Sequence, residues 1–184
     1  MSTVLRPPIT VEEFARMPDP PDGSKLELVR GEVVVMPPPK GRHGVCCLKI
    51  GRLVGNFADS HNLGLATCND AGVILERGPD TVRGPDVAFW SSARQPTIPE
   101  GYFEVPPDLV VEVLSPDDRR KDVRAKIKDY LFYGVKVVWL VDPEMRTVTV
   151  YREPLVGTEL DEGATLDGGD VLPGFSCKVA EMFR

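Results

Sequence analysis

The chain has 184 residues, 42% of them hydrophobic and 27% charged, which suits one domain with a real core. A formal charge of −6 and a pI near 5.0 exclude a broad basic face that grips nucleic acid by charge alone. No apolar run approaches the roughly 18 residues of a membrane helix, so no membrane partner is expected.

The opening MSTVLRPPITVEEF has no apolar core, so it does not read as a secretory leader, and the expected compartment is the cytoplasm. Cys46, Cys47, Cys68 and Cys177 are then expected as reduced thiols. None has the spacing of a zinc knuckle or a thioredoxin-like pair. The 17 glycines and 18 prolines, about a fifth of the chain, predict a loop-rich domain.

In chain order, residues 1–9 read as a loose arm. Thr10-Val-Glu-Glu13 has capping-box form and predicts a short helix from Val11 to about Met17. Leu26 and Leu28 alternate with Glu27 and Val29, Arg30-Gly31 is a turn, and Glu32 to Met36 is the returning strand of a hairpin. Val45, Leu48, Leu53, Val54 and Phe57 recur at near-helical spacing and predict a helix from Arg42 to about Ser60. Leu65–Cys68 and Val73–Glu76 read as short strands, and Arg83-Gly-Pro-Asp-Val-Ala-Phe-Trp90 as a strand entered through Gly-Pro. Residues 92–107 form a long Pro-rich loop that reads as a lid or rim.

The clearest unit follows. Asp108 to Leu114 is nearly all apolar, as a strand buried on both faces should be. Ser115-Pro-Asp-Asp opens a helix from about Asp118 to Tyr133, stopped at Gly134, and Val137 to Val141 is a second buried strand. Strand, helix and strand with tight connections predict a parallel pair. Thr147–Arg152 adds an antiparallel strand, and the tail carries Leu172-Pro-Gly-Phe175 and a short apolar segment, Val179 to Phe183. The expected fold class is α/β: a single domain over residues 1–184, with a central mixed sheet flanked by helices and an N-terminal hairpin.

Several polar groups do not suit a bland core. Glu112 lies inside a run of Leu and Val, where an ionised carboxylate needs a cation, a metal or the open end of the strand. A structural ion pair and a metal ligand both satisfy that need. Asp86 stands at the mouth of an apolar strand, as a turn aspartate or as a site acid. Lys126 flanks the stripe of Val123, Ile127 and Tyr130, so its ammonium either snorkels outward or reaches in along the sheet edge. Glu27 faces away from Leu26 and Leu28, towards water or towards a site. His43 opens the long helix, either as a helix-start residue or as a substrate contact.

Asp86 precedes Glu112 by 26 residues, and Lys126 follows Glu112 by 14. The order of acid, acid and lysine resembles the PD-(D/E)XK nuclease superfamily, with Pro85-Asp86 as its first pair. The usual lysine position two residues after the second acid is Leu114 here, and Lys126 fits the members that carry the lysine on the next helix. The resemblance is closer to the Uma-type restriction endonuclease family, a former domain of unknown function. It rests on Glu27-Leu-Val-Arg-Gly-Glu32, Met36-Pro followed by His43, Arg83-Gly-Pro-Asp-Val87 and Pro107-Asp-Leu-Val-Val-Glu-Val-Leu-Ser-Pro116. Asp122, Lys126 and Tyr130, then Gly134-Val135, Trp139-Leu-Val-Asp-Pro143 and Leu172-Pro-Gly-Phe175, complete it, across roughly residues 10–183.

The resemblance implies a restriction-endonuclease-like core and a metal-dependent endonuclease acting on nucleic acid, DNA first. It implies Mg²⁺ or Mn²⁺ held by Asp86, Glu112 and the Val113 backbone carbonyl. Lys126 would orient or deprotonate water, or neutralise developing charge, and Glu27 would complete the catalytic set. His43 and Tyr130 would contact substrate or support the site, with Arg42, Arg83, Arg119, Arg120 and Arg124 around it. By family habit a homodimer is expected. A nuclease-fold binding or assembly protein without catalysis is the alternative, motivated by Leu114.

Overall fold

Thr10 accepts a bond from the Glu13 N–H, and the Glu13 carboxylate accepts one from the Thr10 N–H. In the computed structural model, which describes residues 7–183, this reciprocal cap opens helix α1 (Val11–Phe14). The helix is shorter than expected, because Arg16 and Met17 bond to carbonyls three residues back and tighten the chain ahead of Pro18. Residues 1–6 of the expected arm lie outside the described residues. Within the described part, the Ile9 N–H donates to the Gly31 carbonyl at 2.9 Å.

Strands β1 (Lys25–Val29) and β2 (Glu32–Met36) pair across Arg30 and Gly31, both at positive φ (52° and 78°), as a two-residue hairpin turn requires. Helix α2 (Gly41–Ser60) follows, then β3 (Gly64–Cys68), β4 (Val73–Glu76), β5 (Thr81–Arg83) and β6 (Val87–Ser91). Gly84-Pro85 is a break between two strands and not the lead-in to one. A proline has no N–H for a ladder, so the chain leaves one sheet at Arg83 and joins another at Val87. Strand β7 (Leu109–Val113), helix α3 (Arg120–Phe132) and β8 (Val137–Asp142) give the expected parallel pair. Helix α3 starts two residues late, because the Asp118 carboxylate accepts from the Ser115 N–H and closes a turn there. The chain ends with β9 (Thr147–Glu153), β10 (Val156–Leu160), β11 (Thr165–Asp167), β12 (Ser176–Lys178) and a single 3-10 turn, Val179–Met182.

The main sheet runs β10-β9-β8-β7-β6-β3 and is antiparallel except between β7 and β8. Side-chain alternation gives it two buried faces. Leu109, Val111 and Val113 join Val137, Trp139 and Val141 against Cys46, Ile50, Val54 and Ala58 of α2. Val110, Val138, Ala88 and Trp90 join Ile127 and Tyr130 of α3 on the opposite face. Phe175 of the Leu-Pro-Gly-Phe segment meets Phe57 edge-on and lies against Trp139, a path that Gly174 permits at φ 84°. A second sheet, β2-β1-β5-β4, has its own small core of Leu28, Ile74 and Val82 under Val11 and Phe14.

The Pro-rich loop, residues 92–107, is a rim, largely exposed over residues 92–101 and packed against the core at Phe103. Phe103 stacks on Trp90 at 4.1 Å, and the Trp90 indole donates to the Val105 carbonyl at 2.7 Å. Burial of these rings outweighs the mobility that the loop's composition suggests. Among the described residues no helix is long and apolar enough to cross a membrane. All four cysteines are free.

Candidate functional site

The register of β6 on β7 pairs Val87 with Val111 and Ala88 with Val110. Continued one step past its last pair, that register brings Asp86 level with Glu112. The Val113 N–H donates to Asp86 Oδ2 at 2.7 Å, which fixes the carboxylate at the strand mouth. Both acids line one cavity of about 520 Å³, together with Glu27 and Lys126.

Helix α3 supplies what Glu112 needs. Lys126 Nζ lies 2.8 Å from Glu112 Oε2 and 3.0 Å from Glu27 Oε1. Tyr130, one helical turn on, donates its hydroxyl to Glu112 Oε1 at 2.7 Å. Lys126 therefore reaches inward and does not snorkel.

Glu27 corrects the reading that it faces water: it is 1% exposed. Leu28 opposes Val82 in the β1–β5 pair, so the next step sets Glu27 against Arg83. Arg83 Nη1 donates to Glu27 Oε2 at 2.7 Å, and the Gly84 N–H donates to Oε1 at 3.0 Å. The alternation with Leu26 and Leu28 is as expected; the face it turns away from them is roofed by Arg83 and Lys126. Arg83 is accordingly not a free phosphate contact. It is buried, and its other arm binds Asp129 at 2.6 Å. Arg119 remains on the cavity wall, and Arg42, Arg120 and Arg124 line an adjoining cleft of about 860 Å³.

His43 lies in the first turn of α2, buried, with Nε2 at 3.2 Å from Asp86 Oδ2. Lys25 Nζ stands 3.7 Å from Asp86 Oδ1 and 2.6 Å from Asp70. The sequence reading missed Lys25, Asp70, Asp129 and Cys47. Two of these carried a signal: Lys25 shares the strand face of Glu27, and Cys47 follows His43 by one helical turn. Asp70 and Asp129 carried none.

The charges are unevenly balanced. Burial pushes the Glu112 carboxyl up to about 7; Lys126 opposes this, and the charges of Asp86 and Glu27 add to it. Burial would lower the Lys126 ammonium, but Glu112, Glu27 and Asp86 outweigh it and hold it above the ordinary lysine value. Burial would likewise raise Glu27, but Lys126 and Arg83 keep it below the usual carboxylate range. Asp86 is also held low, because His43, Lys126 and the Val113 N–H outweigh its burial. His43 is raised in turn, by Asp86 against its own burial. Burial and the nearby Glu112 hold the Tyr130 hydroxyl well above its ordinary value.

This donor set fits a hard divalent cation. Asp86 and Glu112 line the same cavity, and a cation there would offset the burial and the like charges of Asp86 and Glu27 that lift Glu112.

The sequence model of the family described as "Uma2: Putative restriction endonuclease" matches residues 11–180. The chain belongs to that family. A crystal structure of a "putative nuclease belonging to DUF820" from Anabaena variabilis ATCC 29413 superposes with a TM-score of 0.80 at 24% identity, over 96% of this chain and 98% of that one. At that identity the likeness speaks for the fold: a mixed sheet between few helices. No curated protein matches the sequence.

Proposed function

We propose that this Uma2-family protein is a metal-dependent endonuclease that hydrolyses phosphodiester bonds of DNA, with Asp86, Glu112 and the Val113 backbone carbonyl as ligands of Mg²⁺ or Mn²⁺. The observation that carries the reading is the side-by-side placement of Asp86 and Glu112 on one cavity wall, with Lys126 bonded to the second acid. A bound divalent ion would supply Lewis-acid stabilisation of the phosphate and activation of water.

The chain's own residues divide the remaining work. Lys126 acts as a permanent cation beside the reacting phosphate, because its raised proton affinity disfavours use as a base at neutral pH. Glu27, anchored by Arg83 and Gly84, positions Lys126. Tyr130 orients Glu112, and His43 orients Asp86. Arg42, Arg120 and Arg124 in the adjoining cleft offer contacts for a phosphate backbone, which suits an acidic protein whose affinity for DNA is local and salt-dependent.

A second reading has its own observation. Glu112, Lys126, Glu27, Arg83 and Asp129 form a continuous chain of ion pairs, as a structural network in an inactive nuclease fold would. Calorimetric titration with Mn²⁺ and incubation with supercoiled DNA separate the two. Heat of binding and cleavage, both lost in Glu112→Gln and with cleavage lost in Lys126→Ala, favour the endonuclease. Binding without cleavage favours the inactive fold, and unchanged cleavage in Lys126→Ala ends the role given to that lysine.

A further inference from the structure

On the α2 side of Asp86, three side chains of a different chemical character converge. Cys47 lies one helical turn beyond His43. Its Sγ is 3.4 Å from Nδ1 and 4.0 Å from Nε2 of that imidazole. His43 Nε2 is 3.2 Å from Asp86 Oδ2, and the thiol, imidazole and carboxylate donor atoms all fall within 4.8 Å of one another. His43 and Asp86 are buried and Cys47 is half-buried. All three line a cavity of about 450 Å³, which gives an ion a route in.

The geometry points to a second metal site on this chain: a soft divalent ion of the zinc class, held by His43 Nε2, Cys47 Sγ and Asp86 Oδ2. Zinc bonds of about 2.0 Å to nitrogen or oxygen and 2.3 Å to sulfur, at tetrahedral angles, set N···O near 3.3 Å and N···S near 3.5 Å. The observed N···O of 3.2 Å and N···S of 4.0 Å lie within about half an ångström of these values, and the S···O pair, within 4.8 Å, closes by about 1.3 Å at most on binding. Three protein ligands leave the fourth position for water. The thiol binds as its thiolate and releases a proton to solvent. Sulfur and imidazole also separate this site from the all-oxygen one by metal type, because Mg²⁺ and Mn²⁺ prefer carboxylate and carbonyl oxygens.

The two sites share Asp86, so they compete. An ion held by the His43–Cys47 pair draws on the carboxylate that a hard ion would use with Glu112, and zinc then antagonises cleavage. This consequence rests on the endonuclease reading; the site itself does not.

Cobalt(II) is the direct probe, titrated into the intact reduced protein without DNA. One equivalent is expected to give the intense visible bands of tetrahedral cobalt and a near-ultraviolet thiolate-to-cobalt band, both displaced by zinc. Cys47→Ser should remove the thiolate band and weaken cobalt binding more than about tenfold, the least that losing even an outer-sphere partner costs. Cys68→Ser, at a cavity-lining thiol outside the trio, should leave the spectrum unchanged. Weak octahedral bands without sulfur character in the wild type, or a thiolate band that survives in Cys47→Ser, would overturn the site. Should Cys47→Ser unfold, the wild-type spectrum and its loss in His43→Gln decide the matter. In the Mn²⁺ cleavage assay, with each protein scored against its own zinc-free rate, Cys47→Ser should need more than about tenfold higher zinc for half-inhibition. Equal zinc sensitivity with the cobalt site intact would overturn the competition alone.

Discussion

Asp108 and Glu112 stand at the two ends of β7, both with little exposure, and their surroundings are opposite in sign. Asp108 is 1% exposed and fully answered: Lys136 at 2.7 Å, Arg94 at 3.2 Å and the Ser91 N–H at 2.7 Å. Burial alone would raise its carboxyl, but Lys136 and Ser91 outweigh it and hold it low. The Arg94 guanidinium also donates to the Gly134 carbonyl, so this cluster ties the loop after β6 to the end of α3. Among the described residues the cation that Glu112 bonds is Lys126, shared with Glu27, and burial together with the charges of Asp86 and Glu27 pushes the Glu112 carboxyl up to about 7. The first acid is a structural tie. The second is kept short of positive charge beside a cavity, which is how sites that take a cation differ from sites that hold a fold together.

The largest effect expected is on catalysis at the frustrated end. Glu112→Gln keeps the shape and removes the charge, so Mn²⁺ cleavage should fall at least about a thousandfold, about 4 kcal/mol at the barrier. Without metal at pH 7 the variant should be no less stable than wild type, because it removes a carboxyl that burial disfavours in its ionised form and Lys126 keeps Glu27 as a partner. Asp108→Asn inverts the pattern. It leaves Arg94 and Lys136 without a counter-charge and should cost about 2–3 kcal/mol in urea unfolding, below the usual buried-pair loss because Lys136 is 57% exposed. Cleavage per folded molecule should not change. If the effects of the two variants were exchanged, the division of β7 into a structural end and a functional end would be wrong.

Acid and neutral pH sharpen the same contrast. Asp108, held below its unfolded value of about 4, contributes stability above that pH and loses it as the solution is acidified through the folded value. Glu112, raised from 4.5 to about 7, works the other way: metal-free protein is favoured with this group protonated and loses that share as pH climbs from 4.5 to 7. Thermal melts across pH should therefore show Asp108→Asn parting from wild type in acid by losing the acid-side slope, and Glu112→Gln parting between pH 4.5 and 7. Saturating Mn²⁺ at pH 7 should reverse the Glu112 share. Parallel curves for all three proteins would refute both assignments.

How much of this was legible depended on whether the deciding contact was local. The hairpin announced itself because Arg30-Gly31 supplies the positive-φ pair its turn needs. The β7–α3–β8 unit was legible because two apolar runs flank a helix that Gly134 stops. An acid inside an apolar strand requires a cation, and the next helix offered Lys126 at a pitch that could reach Glu112; the place of Asp86 beside them was legible only through the nuclease resemblance. The roof over Glu27 was not legible. Alternation tells which face a strand residue takes but not what lies across from it, and Arg83 arrives from β5, a three-residue strand hidden behind Gly84-Pro85. Strand β10 was missed because Val156–Leu160 is mostly exposed and carries no alternation. The loop of residues 92–107 was legible as a lid or rim; which of the two was decided by Phe103, whose stacking on Trp90 the sequence does not show.

The smallest effect tests whether Tyr130 belongs to the site or only to the core. Its ring is fully buried between α3 and the sheet, and its hydroxyl donates to Glu112 Oε1 at 2.7 Å. Tyr130→Phe keeps the ring and removes one bond to a carboxylate, so stability should fall by about 1 kcal/mol. A purely packing residue would show nothing more. If Tyr130 orients Glu112, the loss of its donor should also raise the proton affinity of Glu112, and the rising limb of cleavage against pH should move to higher pH with Mn²⁺ saturating. A melt lowered without any movement of that limb would return Tyr130 to the core and leave Lys126 as the sole orienting partner of Glu112.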